Sequence, residues 1–567
     1  MITEAGEILL RRGLINRDQL QQSRAAANGE SIIESIVKQG FAKEEEALRI
    51  VADEFGLDFI DLREADVDLK LLQTFPLKLI YRHALFPVKF ENGQLYIATS
   101  NPLDLYPLDE ASAATGLPVV PLVAEKIELA KLVKKHLGVG SETIEGLIAS
   151  RGDEETEIEL LEKIEADGSE LGEQAQEASV VRLVNELLVE AIDTRASDVH
   201  MESQASGLVV RYRIDGILHT QPVPPEISRF QAAIISRLKI MAHLNIAEKR
   251  LPQDGRIKLR VHGREIDIRL SVIPMIHGES LVMRILDKGA MKFDLRSLGM
   301  GEATYRLFSE LIRIPHGIIL VTGPTGSGKT TTLYSSLLEI KSPENKIITT
   351  EDPVEYQLEG INQIQVHTKI GLTFAASLRS ILRHDPDIVL VGEIRDAETA
   401  ENAIQASLTG HTVFSTLHTN DAAGAFTRIV DMGIEPFLVA STVEGIMAQR
   451  LVRRLCPECK QAYTPTKDDV PRDFPWEKLD GHPLYRPGGC RACRNLGYSG
   501  RFGIYELLAT NEEVRQLAHD RSSSYEIKKA ALRNGMMTLR DDAFRKAIEG
   551  TTSIDEVMRA TKGDSLV

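Results

Sequence analysis

Gly323-Pro324-Thr325-Gly326-Ser327-Gly328-Lys329-Thr330 meets the phosphate-binding pattern G-x-x-x-x-G-K-[ST] at every position, and the apolar run Ile318 to Val321 stands directly before it. The glycines let the backbone curl until its N–H groups face the α and β phosphates of a nucleoside triphosphate. Lys329 can reach the β and γ oxygens, and the Thr330 hydroxyl can hold Mg²⁺. Thr331 and the residues after it continue as a helix whose positive N-terminal end adds to the anion site. A chance match in a glycine-rich turn is the alternative reading; against it, strand, loop and helix signals arrive in the required order.

The carboxylates downstream decide what is done with the nucleotide. Glu351-Asp352-Pro353-Val354-Glu355 follows the strand-like run Lys346–Thr350, where an acid could orient an attacking water. Asp387-Ile388-Val389-Leu390-Val391-Gly392-Glu393 reads as a buried strand ending in an acid beside the expected Mg²⁺. Gly392 occupies the usual Walker B aspartate position, which leaves the metal side to Glu393. Either group alone could equally be a helix cap or a solvated turn; their shared position at strand ends of one sheet favours chemistry. Arg379 and Arg383 are four residues apart and are expected on one helical face, either to stabilise a transferring γ-phosphoryl group or as an exposed salt-bridging face. His411 and His418 flank the strand-like run Thr412–Ser415, and one of them could sense the γ-phosphate.

All four cysteines fall in two C-x-x-C pairs, Cys456/Cys459 and Cys490/Cys493. Two such knuckles supply four thiolates for a tetrahedral, structural Zn²⁺, with Arg453, Arg454, Lys460, Arg491 and Arg494 expected to offset its negative charge. Disulfides are the competing reading, for which nothing else in the sequence indicates an oxidising compartment.

These groups need several cores to position them. A chain of 567 residues suggests roughly three to five compact units. The net charge of −16 gives no basic field to recruit nucleic acid. No apolar run reaches the roughly eighteen residues of a membrane span, and the first residues lack the order of a secretory signal, so a cytoplasmic protein is expected. Residues 1–140 mix helical periodicity with runs such as Gln94–Thr99 and form a candidate first domain. Residues 141–178 turn to Glu, Asp, Gly, Ser and Gln and read as an acidic linker. From Val180 to Ile192 the spacing predicts an amphipathic helix, and Leu208–Ile214 before Asp215-Gly216 predicts a strand and hairpin turn, giving a mixed α/β domain over 179–288. Beyond it, runs at Ile318–Val321, Lys346–Thr350, Ile388–Val391 and Thr412–Ser415 alternate with helices. The fold class is therefore α/β, with a parallel sheet covered by helices, over 289–567; the cysteine subdomain sits at about 453–500.

Asp198-Val199-His200, Arg211–Gly216, Gln253-Asp254-Gly255-Arg256, the phosphate loop, Glu351–Glu355, Val391–Asp396, Ser415–Asn420 and the double C-x-x-C together resemble the secretion ATPase superfamily. Within it the resemblance is to the GspE/PilB type, the traffic ATPases of type II secretion and type IV pilus assembly, and it runs from about Val180 to Leu508. The resemblance implies a RecA-like P-loop core preceded by a PAS-like N2 domain, a homo-hexameric ring, and ATP, Mg²⁺ and Zn²⁺ as cofactors. It implies Glu355 as general base, Glu393 in the Walker B role, His418 closing the His box, Arg269 and Arg284 as N2 arginines that reach the nucleotide, and Arg379 and Arg383 as arginine fingers. Partners would be inner-membrane platform and recruiting proteins, bound peripherally without membrane insertion.

The N-terminal domain is similar to the type II secretion ATPase N-terminal fold, which in some relatives binds cyclic di-GMP through R-L-G-x-x-L-x-x-x-G. Gly6, Leu9 and Gly13 keep part of one copy and Gly40 little of a second; the missing arginine weighs against messenger binding and leaves docking on a membrane-protein partner. The function expected is ATP hydrolysis powering pseudopilus or pilus assembly. The alternatives are an ATP-dependent assembly scaffold and a nucleic-acid translocase, the latter disfavoured by the acidic balance.

Overall fold

The half-apolar runs before Asp287 build two sheets in the first of the two units into which the chain divides, Met1–Gly289 and Ala290–Val567. The computed structural model describes residues 5–26, 31–63, 65, 67–76, 79–80, 83–137, 158–160, 177–287, 289 and 293–562. Helices Ala5–Arg11, Arg17–Ala26, Ile32–Lys38 and Glu44–Phe55 come first and pack through Leu9, Leu20, Ile36, Leu48 and Val51. Strands β1 (Asp58–Phe59), β2 (Leu85–Glu91), β3 (Gln94–Thr99) and β4 (Val119–Val123) then form a sheet in the order β1-β4-β3-β2. The helix Tyr106–Thr115 carries the crossover between the parallel strands β3 and β4.

Of the stretch 141–178, expected as a linker, residues 158–160 and 177–178 are described and the rest lies outside the described residues. Ile158–Leu160 is strand β5, paired with a later strand at the edge of the second sheet; two apolar residues around Glu159 give it the period-two pattern of a half-covered strand. That sheet contains β6 (Ala196–Gln204), β7 (Gly207–Ile214), β8 (Ile217–Thr220), β9 (Gln253–Val261), β10 (Arg264–Met275) and β11 (Gly278–Asp287), in the order β5-β9-β10-β11-β6-β7-β8. Asp215 and Gly216 both have positive φ, 48° and 87°, and Ile214 pairs with Ile217, so the predicted turn is a two-residue hairpin of matching twist. Helices Ala178–Asp193 and Gln231–Met241 bury Leu183, Leu187, Ile234 and Leu238 with Val199, Tyr212, Ile268 and Met283 in one core. The opposite face carries the polar residues of each strand.

In the second unit the core sheet is built from β12 (Gly317–Thr322), β13 (Ile347–Glu351), β14 (Asn362–Gln365), β15 (Ile388–Val391), β16 (Thr412–Leu417), β17 (Val443–Leu455) and, after the small antiparallel pair β18 (Gln461–Tyr463) and β19 (Leu484–Arg486), β20 (Tyr498–Ala509). Its order is β14-β13-β15-β16-β12-β17-β20, parallel except for the antiparallel β17–β20 pair. Ile318 and Leu320 enter one apolar core and Ile319 and Val321 the other, because helices cover both faces and β12 must be apolar on each. The terminal helices Glu512–His519, Ser524–Arg533, Leu539–Ile548 and Ile554–Ala560 are each started by a side-chain cap, from Asn511, Ser523, Thr538 and Ser553.

Candidate functional site

Parallel pairing brings the ends of four strands to one edge. Thr322 pairs with Leu417, Val391 with Ser415, and Thr350 with Val391, so the residues that follow each strand emerge together. From β12 emerges the phosphate loop, from β15 Gly392-Glu393, from β16 His418, and from β13 the segment through Glu355. This is the carboxyl-end crevice where α/β sheets hold ligands.

The loop itself requires its glycines. Gly323 has φ +149°, and a Cβ there would lie 2.5 Å from the Gln449 carbonyl oxygen; Gly328 has φ +90°, and a Cβ would lie 2.8 Å from Gln449 Nε2. Pro324, Thr325, Gly326 and Thr330 are exposed, Thr331 is half-buried, and the helix Lys329–Ile340 starts at the loop's end. Lys329 Nζ donates to the carbonyls of Gly323 at 2.8 Å and Pro324 at 3.1 Å. Burial pulls Lys329 below its ordinary range; the nearby Glu393 carboxylate opposes that shift and Arg450 adds to it. Ser327 Oγ and Thr350 Oγ1 are buried with no hydrogen-bond partner. The glycine-dictated curve of the loop, the exposed Thr330 residue and the orphaned Ser327 hydroxyl fit a triphosphate with its hydrated Mg²⁺.

Glu393 is held between two nitrogen-bearing side chains. Arg395 Nη2 contacts one carboxylate oxygen, and His418 Nε2 lies 3.2 Å from the other. Burial pushes the carboxyl up, yet Arg395 and His418 outweigh it and keep Glu393 below the usual carboxylate range. Its position is fixed by backbone bonds from Gly392 N to Thr350 O (2.8 Å) and Ile394 N to Thr416 O (3.1 Å). The glycine at the Walker B aspartate position has a steric reason: a Cβ on Gly392 would stand 3.3 Å from both the Phe374 ring and the Thr350 oxygen. Arg395 belongs to a motif read from sequence, but its grip on Glu393 depends on how the chain turns after β15.

The two acids after β13 part company. Glu351 is buried and accepts from Tyr334, Thr349 and Gln363, which uses it as a structural acid; Glu355 is half-buried further along the segment. His411 sits at the opposite end of β16 from the loop, its Nδ1 2.9 Å from the Ala406 oxygen. The arginine pair departs from expectation. The helix Phe374–Ile381 ends before Arg383, so Arg379 and Arg383 are not both inside one regular helix. Arg379 Nη1 contacts Glu398, and Arg383 Nη1 donates to the Arg379 carbonyl at 2.9 Å.

In the first unit, Arg269 on β10 pairs directly with Arg284 on β11 and with Arg256 on β9. Directly paired residues share a face, so three guanidinium side chains stand in a row on the polar face, with Asp267 and Asp198 set beside them. Arg256 is ion-paired with Asp267, and Arg284 Nε lies 3.2 Å from Asp198 Oδ1. Arg256 has no role in the sequence reading, because only the register aligns it with the other two.

The cysteines converge. The four Sγ atoms lie within 4.8 Å of one another, with Cys456–Cys490 at 3.8 Å and Cys459–Cys493 and Cys490–Cys493 at 3.7 Å. A tetrahedron of sulfurs about 2.3 Å from zinc has edges of about 3.8 Å, so the donor set fits Zn²⁺, and all four are free thiols. The N–H groups of Gly489, Cys490 and Gly497 point at sulfurs at 3.2, 3.3 and 3.2 Å, the donors a thiolate cluster needs. Burial opposes ionisation of Cys493, but the N–H groups of Cys490 and Gly497 outweigh it and bring the thiol to about 7. The basic residues expected to offset this charge are partly engaged elsewhere: Arg453 pairs with Glu556, and Lys460 donates to the Gly550 carbonyl.

Compared with known proteins, residues 173–559 match the family model described as Type II/IV secretion system protein, and residues 55–143 match the MshEN domain. The chain is 52% identical to type II secretion system protein E of Pseudomonas aeruginosa, over 69% of this chain and 78% of that protein. It is 44% identical to type II secretion system protein E of Xanthomonas campestris pv. campestris, over 99% of this chain and 98% of that protein. It is 41% identical to the type IV pilus assembly ATPase PilB of Myxococcus xanthus, over 99% of both chains.

Proposed function

The chain belongs to the type II/IV secretion system protein family, and from that premise we propose that it hydrolyses ATP to drive pseudopilus or pilus assembly, as a cytoplasmic homo-hexamer acting on inner-membrane partner proteins. The observation that carries this reading is the meeting of Lys329, Glu393 and His418 at the carboxyl edge of a parallel sheet, directly beside the phosphate loop. Bound Mg²⁺ would neutralise the β and γ oxygens, with Thr330 and, through water, Glu393 holding it. Lys329 leaves its carbonyl partners for the phosphates, and Glu355 accepts the proton of the water that attacks the γ-phosphorus, giving ADP and phosphate. Arg269 and Arg284 are kept as candidate cations for the phosphates, with Arg379 and Arg383 at the γ-phosphoryl group.

We assign residues 1–140 to a partner-docking N-terminal domain, 141–178 to a linker from which Ile158–Leu160 joins the sheet of the next domain, 179–288 to the N2 domain and 289–567 to the ATPase domain with its zinc subdomain at about 453–500. Cyclic di-GMP is kept as the lesser alternative to partner docking for the first domain. Of the motif's residues, Gly6 is accounted for by packing, since a Cβ there would lie 2.5 Å from Leu20 Cδ1. No helix among the described residues is long and apolar enough to cross a membrane. The full-length relatives named for type II secretion and for pilus assembly are 44% and 41% identical, so both filaments remain in the proposal.

The test is Mg²⁺-ATPase turnover against protein concentration, with and without the cytoplasmic domain of the platform protein. Turnover should rise as the chain assembles, rise again with the partner, and fall by roughly a hundredfold or more in Lys329→Ala. Tight ATP binding with flat, negligible turnover would replace the motor by a nucleotide-dependent scaffold.

A further inference from the structure

Strand β17 presents a polar residue where its neighbours are apolar. Met447 lies in the same core as Leu333 and Leu337 of the helix after the phosphate loop, and period-two alternation places Gln449 on that face. Gln449 is only 2% exposed. An amide in such a place costs stability unless it is bonded, and a hydrophobe would pack there without that cost.

One atom of this residue bonds the helix after the phosphate loop, and two others crowd the loop's glycines. Its Oε1 accepts from Thr332 Oγ1 at 2.8 Å, one turn into the helix Lys329–Ile340. Its Nε2 stands 2.8 Å from where a Cβ on Gly328 would fall, and its carbonyl oxygen 2.5 Å from a Cβ on Gly323. The next residue continues the brace: Arg450 donates to the Gln449 carbonyl at 3.0 Å and to the Asn420 carbonyl, on the His418 segment, at 2.7 Å. Gln449 thus backs the first and the last glycine of the loop and ties down the helix that begins at Lys329.

We infer that Gln449 is a positioning residue for the phosphate loop: it holds the loop in the curvature that aims its N–H groups at the phosphates, so that ATP affinity depends on its amide more than the chemical step does. The inference rests on the reading of this loop as the ATP site. Because the loop needs that curvature before nucleotide arrives, losing the brace lowers affinity by the cost of re-forming it.

The experiment compares full-length wild type with Gln449→Met, which keeps the volume and removes the amide, Gln449→Glu, which keeps an acceptor for Thr332 but adds an anion beside Gly328, and Thr332→Val. ATP KM, kcat and Tm are measured at a fixed, assembled protein concentration. Gln449→Met should raise KM about tenfold, the equivalent of one well-placed hydrogen bond, with kcat within about twofold. Gln449→Glu should raise KM further, since its charge repels the phosphates. Thr332→Val should raise KM less, and its effect should largely vanish in the Gln449→Met background. A lowered Tm with wild-type KM in Gln449→Glu and Thr332→Val would make Gln449 a packing residue only and overturn the inference; those two variants decide it if Gln449→Met does not fold. Lys329→Ala separates the two readings. Wild-type ATP binding by Lys329→Ala would remove the ATP site itself, whereas lost binding there beside unchanged KM in the Gln449 variants would remove only the role of Gln449.

Discussion

Four sulfurs in the cysteine cluster stand 3.7–3.8 Å apart in the pairs that make contact, and Cys459 and Cys493 take N–H donors from Gly489, Cys490 and Gly497, whereas the charged groups at the phosphate loop are bonded to neighbours that a nucleotide would displace. Lys329 rests on two loop carbonyls, and Glu393 is shared by Arg395 and His418. Both regions adjoin β17, which backs the phosphate loop with Gln449 and runs out at Leu455, directly before Cys456. A structural metal site works by being finished, and its ligands are anchored by local backbone. A catalytic site gains from provisional partners, because ligand binding then releases groups into the reactive arrangement.

If that contrast holds, cysteine substitutions should cost metal and fold, and substitutions at the loop should cost turnover and leave the fold. The largest effect expected is on the metal: Cys490→Ser or chelation should remove about one zinc per chain and expose the segment between the two knuckles to protease, with ATP binding retained. Glu393→Gln should then lower turnover by about 10³-fold at near-normal Tm and ATP affinity. A parallel fall in Tm would make Glu393 a structural acid like Glu351.

Glu556 sharpens the structural side. Burial opposes its charge, but Arg559 and Arg453 hold the carboxyl below its ordinary range, and its oxygen also accepts from the Arg453 N–H near the end of β17. A depressed carboxyl contributes stability that is present above its unfolded value of about 4.5 and lost as pH falls through the folded value. Glu556→Gln should therefore cost about 3 kcal/mol at pH 7, and urea denaturation should show the gap from wild type closing as pH drops below that range. The smallest effect belongs to the exposed pair Arg379–Glu398: Glu398→Ala should shift Tm by roughly a degree or less, so a marked change in turnover from Arg379→Ala would reflect chemistry rather than stability.

The phosphate loop and the cysteine knuckles were legible because each is a run of neighbouring residues whose spacing carries its own geometry. The strands Ile318–Val321 and Ile388–Val391 were legible for a related reason: a doubly covered strand is apolar at every position. The helix under Arg379 was expected to run through Arg383, but spacing of four implies a helical face only while the helix lasts, and it stops at Ile381. Glu351 and Glu355 looked alike in sequence; Tyr334 and Gln363 tell them apart, and neither is near in the chain.

The sequence alone carried the phosphate-loop pattern of residues 323–330, the metal-type spacing of Cys456, Cys459, Cys490 and Cys493, and the α/β alternation of the sheet that bears the loop. Local spacing is enough where one turn of backbone makes the site. Tertiary structure alone decided that Arg395 and His418 share Glu393, that Arg256 joins Arg269 and Arg284, and that Gln449 braces a helix 117 residues away. Those partners meet through strand order and register, which are fixed by burial of the whole core rather than by any short stretch of chain.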